Sequence, residues 1–597
     1  MITEVFPRVN RSQTGRLTQA RLFGLGLLVI LAVYGIFFHG LGGYAFFDMD
    51  EPRYAEAARQ MLETGNWVTP YFNGVVRFDK PVLHYWLVAL SYLCFGVTEF
   101  SARFPSALLA LGTVFALFRS VSLVCSGRVA LLAGMILSTS LGFVVFSRTA
   151  ITDMTLAAFI TASILALFQV ARGRDAFWIL AAVMSALAAL TKGPVGIVLP
   201  GLVLLVYTLF AKNWRSVFLN RWFAGALGLW LGLTLPWYGL AYLQNGQPFV
   251  DALLLHNLTR YQDVVSSHAA PWFFYLLVIP VMMLPWSLLF LPLLGLFFKK
   301  LVSFFLQGGF SRRWQDDFVN RLRCGPESSV TSLLCFCLVW AGVVFLFFTL
   351  AKTKLVTYIL PILPPLAVLL ALLIDAAIST SQLAEAPFKR AFRFLGALFI
   401  LLSVASFLLL PFLSVLLRQF LPLEAQLLLE VQPFYTISAV VSIVAFGCLY
   451  VGRAFYGFNP WRASVGLSVT IIGAVTLLYG GLLPYINQVF MSAMLRYAHQ
   501  AGALSMATYD IRRPSLTFYT QKVVTHLPAD GVASLKAYAQ RTGSLGLVVT
   551  KNSLLPAWAA LGRQLKLSWR LVDQDVRYCL IQLQPSQLKT LSETEEG

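Results

Sequence analysis

Apolar blocks of about 17 to 25 residues recur along most of the chain, and each is long enough to cross a hydrocarbon core about 30 Å thick as a helix. Lipid leaves no water to pair with backbone N–H and C=O groups, so such blocks must close their hydrogen bonds within a helix. Composition agrees. Of 597 residues, 58% are hydrophobic and 12% are charged, about half the roughly 25% charge of soluble domains. Thirteen spans are expected, near residues 21–40, 101–119, 129–147, 153–171, 176–191, 194–211, 222–243, 271–298, 329–351, 355–375, 394–417, 433–452 and 463–483. The fold class is therefore an all-α polytopic membrane protein. The net charge of +19 is spread between apolar blocks rather than gathered with aromatics on one face, which excludes nucleic acid as a partner.

The charges also orient the spans. With residues 1–20 cytoplasmic, one set of connections holds Arg119 and Arg128, Arg172 and Arg174, Lys212 to Arg221, Lys299 to Arg323, Lys389 to Arg393, and Arg453 to Arg462, as the positive-inside rule requires. The basic N-terminus has the flanks of a signal peptide without a small-residue cleavage site, so it reads as a retained first span. The opposite connections, 41–100, 148–153, 244–270 and 352–354, are then outer loops. An odd number of spans puts the tail outside too. Residues 484–597 alternate strand-like runs (LSMATYD, LGLVVT, RYCLIQLQ) with helix-like ones at 533–540 and 555–565, which predicts a small soluble α/β domain. Residues 307–327 and the last dozen are polar enough to be loosely ordered. The seven cysteines show no disulfide framework and no zinc-ligand spacing.

Acidic residues are scarce, yet Asp48, Asp50, Glu51, Glu56, Glu63 and Asp79 crowd into the loop 41–100. The run from Asp50 to Gly65 predicts an amphipathic helix along the outer interface, with Asp50 as N-cap, Pro52 in the first turn and Gly65 as the stop. Asp50 then either caps the helix or serves as a general base or acceptor-orienting carboxylate. Lys80, in Asp79-Lys80-Pro81, either anchors a lipid phosphate or snorkels at the interface. Other outer positions converge on the same face. They are Asp153 in SRTAITDM, His256, Arg260 and Tyr261 in HNLTRYQ, and Lys352 and Lys354 just before Thr357 and Tyr358. Lys192, in the TKGP turn of a helix hairpin, reads as structural. All six histidines fall on or beside the outer side with spacings that match no metal motif. A divalent ion stays open, with no ligand set assigned and no cofactor required.

These segments carry a resemblance. DEPRYAE (Asp50 to Glu56), NWVTPYFNG (Asn66 to Gly74), FDKP, TDM, TKGPVG (Thr191 to Gly196), NLTRY (Asn257 to Tyr261) and KLVTYILPILPPLA (Lys354 to Ala367) resemble, in order, the bacterial aminoarabinose lipid A transferases. Those enzymes stand with the protein O-mannosyltransferases in the GT-C superfamily of membrane glycosyltransferases. RPSLTFY (Arg513 to Tyr519) in the tail is similar as well. The resemblance implies a GT-C domain over 21–483 with its active site on the loop 41–100, about thirteen transmembrane helices, and a periplasmic α/β domain over 484–597.

It also implies a multi-pass protein of the bacterial inner membrane, with an undecaprenyl- or other polyprenyl-phosphate sugar donor. Transfer would be inverting, to a lipid A-like or other envelope acceptor, on the periplasmic face. Asp50 would be the loop carboxylate of DEPRY and Asp153 a second acid near the acceptor. Arg53 and Tyr54 would line the donor cavity, while Lys80 and Arg260 contact the lipid phosphate beside Tyr358. Glu51, Asp79, Lys352, Lys354 and His256 would be accessory. One departure stands out: FDKPV replaces the family's FEKPP, so Asp79 is one methylene short for any role, metal contact included.

Two other readings stay open. A protein O-glycosyltransferase shares the superfamily. A transporter or flippase also combines many helices with functional charges, but usually near the midplane and with internal repeats. Here the charges gather at one surface. The residues name neither the sugar nor the acceptor.

Overall fold

The computed structural model describes residues 28–255, 270–290, 329–379, 386–409, 433–528, 532–542, 546–565, 567–575 and 577–584. Helices occupy the described part of every expected span. In chain order α1 is Leu28–Phe38, α2 Glu51–Thr64, α3 Leu83–Phe95, α4 Glu99–Ser122, α5 Gly127–Ser138, α6 Leu141–Ser147 and α7 Thr152–Ala171. Then come α8 Phe177–Lys192, α9 Val195–Phe210, α10 Trp214–Phe218, α11 Arg221–Asn245, α12 Gln247–Leu254 and α13 Phe274–Met282. The later helices are α14 Ser329–Leu350, α15 Leu363–Ser379, α16 Ala386–Leu409, α17 Pro433–Tyr456, α18 Pro460–Leu477 and α19 Leu483–Ala501.

Among the described residues seven helices are long and apolar enough to cross a membrane, and five further apolar helices are shorter. An eighth span exists only if α5 and α6, bent by 65°, count as one. The unbroken helix expected over 129–147 is interrupted because one local and one distant acceptor divert its hydrogen bonds. Ser140 Oγ donates to the Ile136 carbonyl at 2.6 Å, and the Leu141 N–H donates to Leu284 O instead of continuing the ladder. α8 and α9 have 16 residues each, about 24 Å of rise, so this hairpin runs short of a full hydrocarbon core.

α7 forms the axis of the bundle and packs on α4, α8 and α9. Its apolar residues are buried nearly all round, as expected of a helix with protein on every side. This position brings its N-terminal end, with Asp153, beneath the first loop.

The tail forms a five-stranded sheet in the order β4-β3-β5-β7-β6, where β3 is Ser505–Tyr509, β4 Val524–Leu527, β5 Gly546–Lys551, β6 Ser568–Gln574 and β7 Tyr578–Gln584. β4, β3 and β5 run parallel, while β7 and β6 are antiparallel. The connecting helices are α20 Pro514–Thr520, α21 Val532–Thr542 and α22 Leu555–Leu565. Strand periodicity splits the core in two. Met506, Leu547, Val549 and Leu580 pack with α19 and α20, whereas Ala507, Tyr509, Val548 and Ile581 pack with α21 and α22. In the loop 41–100 the only strands among the described residues are the two-residue β1 (Tyr71–Phe72) and β2 (Val75–Val76).

Candidate active site

α2 begins and ends where its residues demand. Pro52 sits in the first turn, and Gly65 closes the helix at φ 66°, a left-handed conformation that glycine adopts freely. The helix is covered by protein on more of its surface than its amphipathic pattern predicts. It packs on α3, and even Glu56 and Arg59 are buried, paired through two hydrogen bonds of 2.7 and 2.6 Å. Burial pushes the Glu56 carboxyl above the ordinary carboxylate range, with Arg59 and Gln60 pulling it back.

Asp50 occupies the N-cap position without capping. Its side chain makes no capping hydrogen bond, is 72% exposed, and lies 3.9 Å from the Arg53 guanidinium. Glu51 is the opposite case. Its carboxylate is buried and accepts from Arg103 Nε and Nη2 at 2.8 Å each, from Ala150 N at 2.9 Å and from Phe47 N at 3.0 Å. These bonds make it the tie that holds the start of α2 to α4 and to the loop before α7.

Tyr54 faces inward. Its ring meets His84 edge-on at 5.4 Å and lies beneath the Arg77 guanidinium at 5.2 Å. Burial pushes its phenol well above the ordinary value, so it acts as a neutral hydroxyl. Arg77 also pairs with Asp79 at 2.9 Å and donates to the Tyr85 hydroxyl at 3.2 Å. Asp79 is thereby engaged with a guanidinium.

Beyond these residues opens a cavity of about 410 Å³. One part of its wall is polar, with Asp79, Lys80, Asp153, Lys192, Thr357 and Tyr358. The remainder is apolar and comes from helices and connections that enclose it, including Trp237, Phe249, Leu254, Phe347 and Phe348. Lys80 Nζ donates to the Asp79 carbonyl at 2.9 Å, which turns the ammonium back along its own loop. Lys192 Nζ lies 2.5 Å from Asp153 Oδ1 and 4.4 Å from the centroid of the Tyr358 ring, a cation–π contact.

Four of the residues singled out from the sequence, Asp79, Lys80, Asp153 and Tyr358, therefore meet in one cavity. Tyr54 stands behind its wall, and Asp50 and Arg53 are not among its lining residues. Lys354 is buried and donates to Ala351 O at 2.7 Å, just past the end of α14, where a cation suits the helix C-terminus. Lys352 is exposed. Arg260, His256 and His268 lie outside the described residues. Lys192, read from its turn as structural, lines the cavity; the available signal is that the expected spans put TKGP on the same side as Asp153. Among the described residues no group of three or more His, Cys, Asp or Glu side chains gathers as a metal site.

Residues 79–239 match the family model described as dolichyl-phosphate-mannose-protein mannosyltransferase. That stretch contains Asp79, Lys80, Asp153 and Lys192. In overall structure the chain superposes on ArnT from Cupriavidus metallidurans with a TM-score of 0.71 in the apo state and 0.69 bound to undecaprenyl phosphate. The match covers 94% of this chain and 98% of that one, at 20–21% identity. The chain shares the fold of that ArnT.

Among sequence relatives of the chain, an uncharacterized protein of Aquifex aeolicus is 32% identical over 347 residues, 58% of this chain and 63% of that one. The undecaprenyl phosphate-alpha-4-amino-4-deoxy-L-arabinose arabinosyl transferase of Shewanella sediminis is 31% identical over 359 residues, 58% of this chain and 59% of that enzyme. The chain thus spans less than two thirds of the length of the relatives it matches.

Proposed function

We propose that this ArnT-like protein transfers a sugar from a polyprenyl-phosphate carrier, with inversion, to a lipid or other cell-envelope acceptor at the periplasmic face of the inner membrane. The observation that carries the reading is the cavity, whose Lys80 and Lys192 end suits a phosphate and whose aromatic and aliphatic remainder suits an isoprenoid chain. The ArnT structure bound to undecaprenyl phosphate supports the same donor class.

Cleavage of the bond between the anomeric carbon and the phosphate oxygen leaves negative charge on the departing polyprenyl phosphate. Fixed cations stabilise that charge as it develops; Lys80 takes this role in the cavity that Tyr358 also lines, and the resemblance gives Arg260 the same role. Asp50 is exposed and free of capping, so it is suited to orient the acceptor and to take its proton when the acceptor is a hydroxyl. A phosphate acceptor is already anionic and needs only positioning. Asp153 serves through its pair with Lys192 at the polar wall. The proposed reaction calls on no metal or other cofactor.

The acceptor is a lipid A-like lipid in the first reading. A protein hydroxyl is the second, favoured by the mannosyltransferase family model over residues 79–239. Incubating the purified protein with radiolabelled polyprenyl-phosphate sugars and membrane extract, then identifying the labelled product, tests both. Label in a lipid supports the first and label in protein the second. Net lipid flux without any transfer would replace both with a flippase.

A further inference from the structure

We infer that the carboxyl-terminal sheet domain is a clamp on the segment carrying Asp50 and Lys80, with Asp48 and Asn73 as the positioning residues that join them. The inference rests on the transfer reaction proposed above for its consequence on turnover, but its geometry stands independently.

Asp48 lies two residues before Asp50, yet its side chain is only 4% exposed. Its Oδ1 accepts the Ser515 N–H at 2.8 Å, and its Oδ2 accepts the Ser515 hydroxyl at 2.7 Å and Arg513 Nη1 at 3.4 Å. Arg513, at the N-cap position of α20, makes no side-chain capping bond. The cap of α20 is thus supplied by the first loop. An unpaired N–H at a helix start costs free energy, so the two segments stabilise each other.

Asn73 forms the second joint. It sits at φ 56° in the turn between β1 and β2. Its Oδ1 accepts the Val524 N–H at 2.7 Å, and its Nδ2 donates to the Val524 carbonyl at 2.8 Å. The N–H and C=O of one strand residue point to the same side, and β4 is the edge of the sheet. The Asn73 amide therefore pairs that edge as one residue of a further strand would. The turn also fits closely, since a Cβ added at Gly74 would lie 3.3 Å from Val523.

α2 runs between these joints, and Lys80 follows the second by seven residues. Each joint is thus nearest to a different group of the proposed machinery. Loss of the Asp48 joint frees the start of α2 and with it Asp50. Loss of the Asn73 joint frees the connection that leads to Lys80. Contacts that served only as adhesive between two domains would not divide their effects in this way.

The test uses the full-length protein in lipid nanodiscs and compares Asp48→Ala, Asp48→Asn, Ser515→Ala and Asn73→Ala with the wild type. Hydrogen exchange is expected to rise in residues 51–64 for Asp48→Ala and Ser515→Ala and in residues 71–80 for Asn73→Ala, while β3 and β5 keep their protection. In the transfer assay Asp48→Ala should lower kcat by up to about a hundredfold with donor KM unchanged, and Asn73→Ala should raise donor KM. Asp48→Asn keeps an acceptor oxygen for the Ser515 N–H and should recover part of the turnover. Unchanged exchange in both segments, an equal rise across β3 and β5, or the same kinetic change from both joints would overturn the clamp. A wild-type protein without transfer activity would remove the proposed function, and the exchange data would still decide the clamp.

Discussion

Lys192 and Asp153 form an ion pair of 2.5 Å in the polar wall of the cavity, and both side chains are mostly buried, at 13% and 14% exposure. They come from the two helices α8 and α7, so the pair also joins elements of the bundle. Lys80 and Thr357 also act on Asp153, so removing Lys192 costs at most about 3–5 kcal/mol, the cost of breaking a fully buried pair. Lys192→Met is expected to lower the unfolding temperature and to abolish transfer. Adding Asp153→Leu should recover most of the stability, since a buried pair exchanged for apolar residues is often neutral, and none of the transfer. Wild-type transfer by the double variant would exclude the pair from the chemistry.

Glu51 stands beside Asp50 in sequence but does different work. With its four hydrogen bonds buried against Arg103, Phe47 and Ala150, Glu51→Gln should destabilise the fold by about 3–5 kcal/mol. Fluorescence-detected gel filtration after a heat step would show it as loss of the monodisperse peak. A variant as heat-resistant as the wild type would contradict the structural role.

Lys80→Ala removes a cation from the cavity's polar wall. Its expected effect is a higher donor KM with little change in unfolding temperature, read from initial rates across donor concentrations. An unchanged KM would take Lys80 out of phosphate binding.

Much of this arrangement was legible in the residues because each physical signal was local. Apolar length gave the helices, the acidic loop located α2, and alternating apolar runs gave the strands of the sheet. What escaped depended on partners far away in the chain. Asp50 has every mark of an N-cap, yet its side chain makes no capping bond, while Asp48 caps a helix more than four hundred residues later. Lys192 looked like part of a turn because Asp153 is remote in sequence. The break between α5 and α6 depends on Leu284, again a distant acceptor.

The α8–α9 hairpin that presents Lys192 depends on close backbone approach. A Cβ at Gly196 would stand 2.3 Å from Ala189 N and 2.5 Å from Ala188 C. Gly196→Ala therefore forces the helices apart and is expected to cost about 1–3 kcal/mol, as overpacking does. Thermal unfolding would measure the loss, and donor KM should rise with it because Lys192 moves. Wild-type values for both would show that the hairpin can relax without disturbing the cavity.

Transfer by Asp50→Asn tests the central claim most directly. The side chain is exposed and caps nothing, so the exchange leaves the fold untouched and removes only a carboxylate at the start of α2. With a radiolabelled polyprenyl-phosphate sugar that the wild type accepts, the account predicts no labelled product from a variant that inserts and unfolds like the wild type. Full product formation by Asp50→Asn would contradict it.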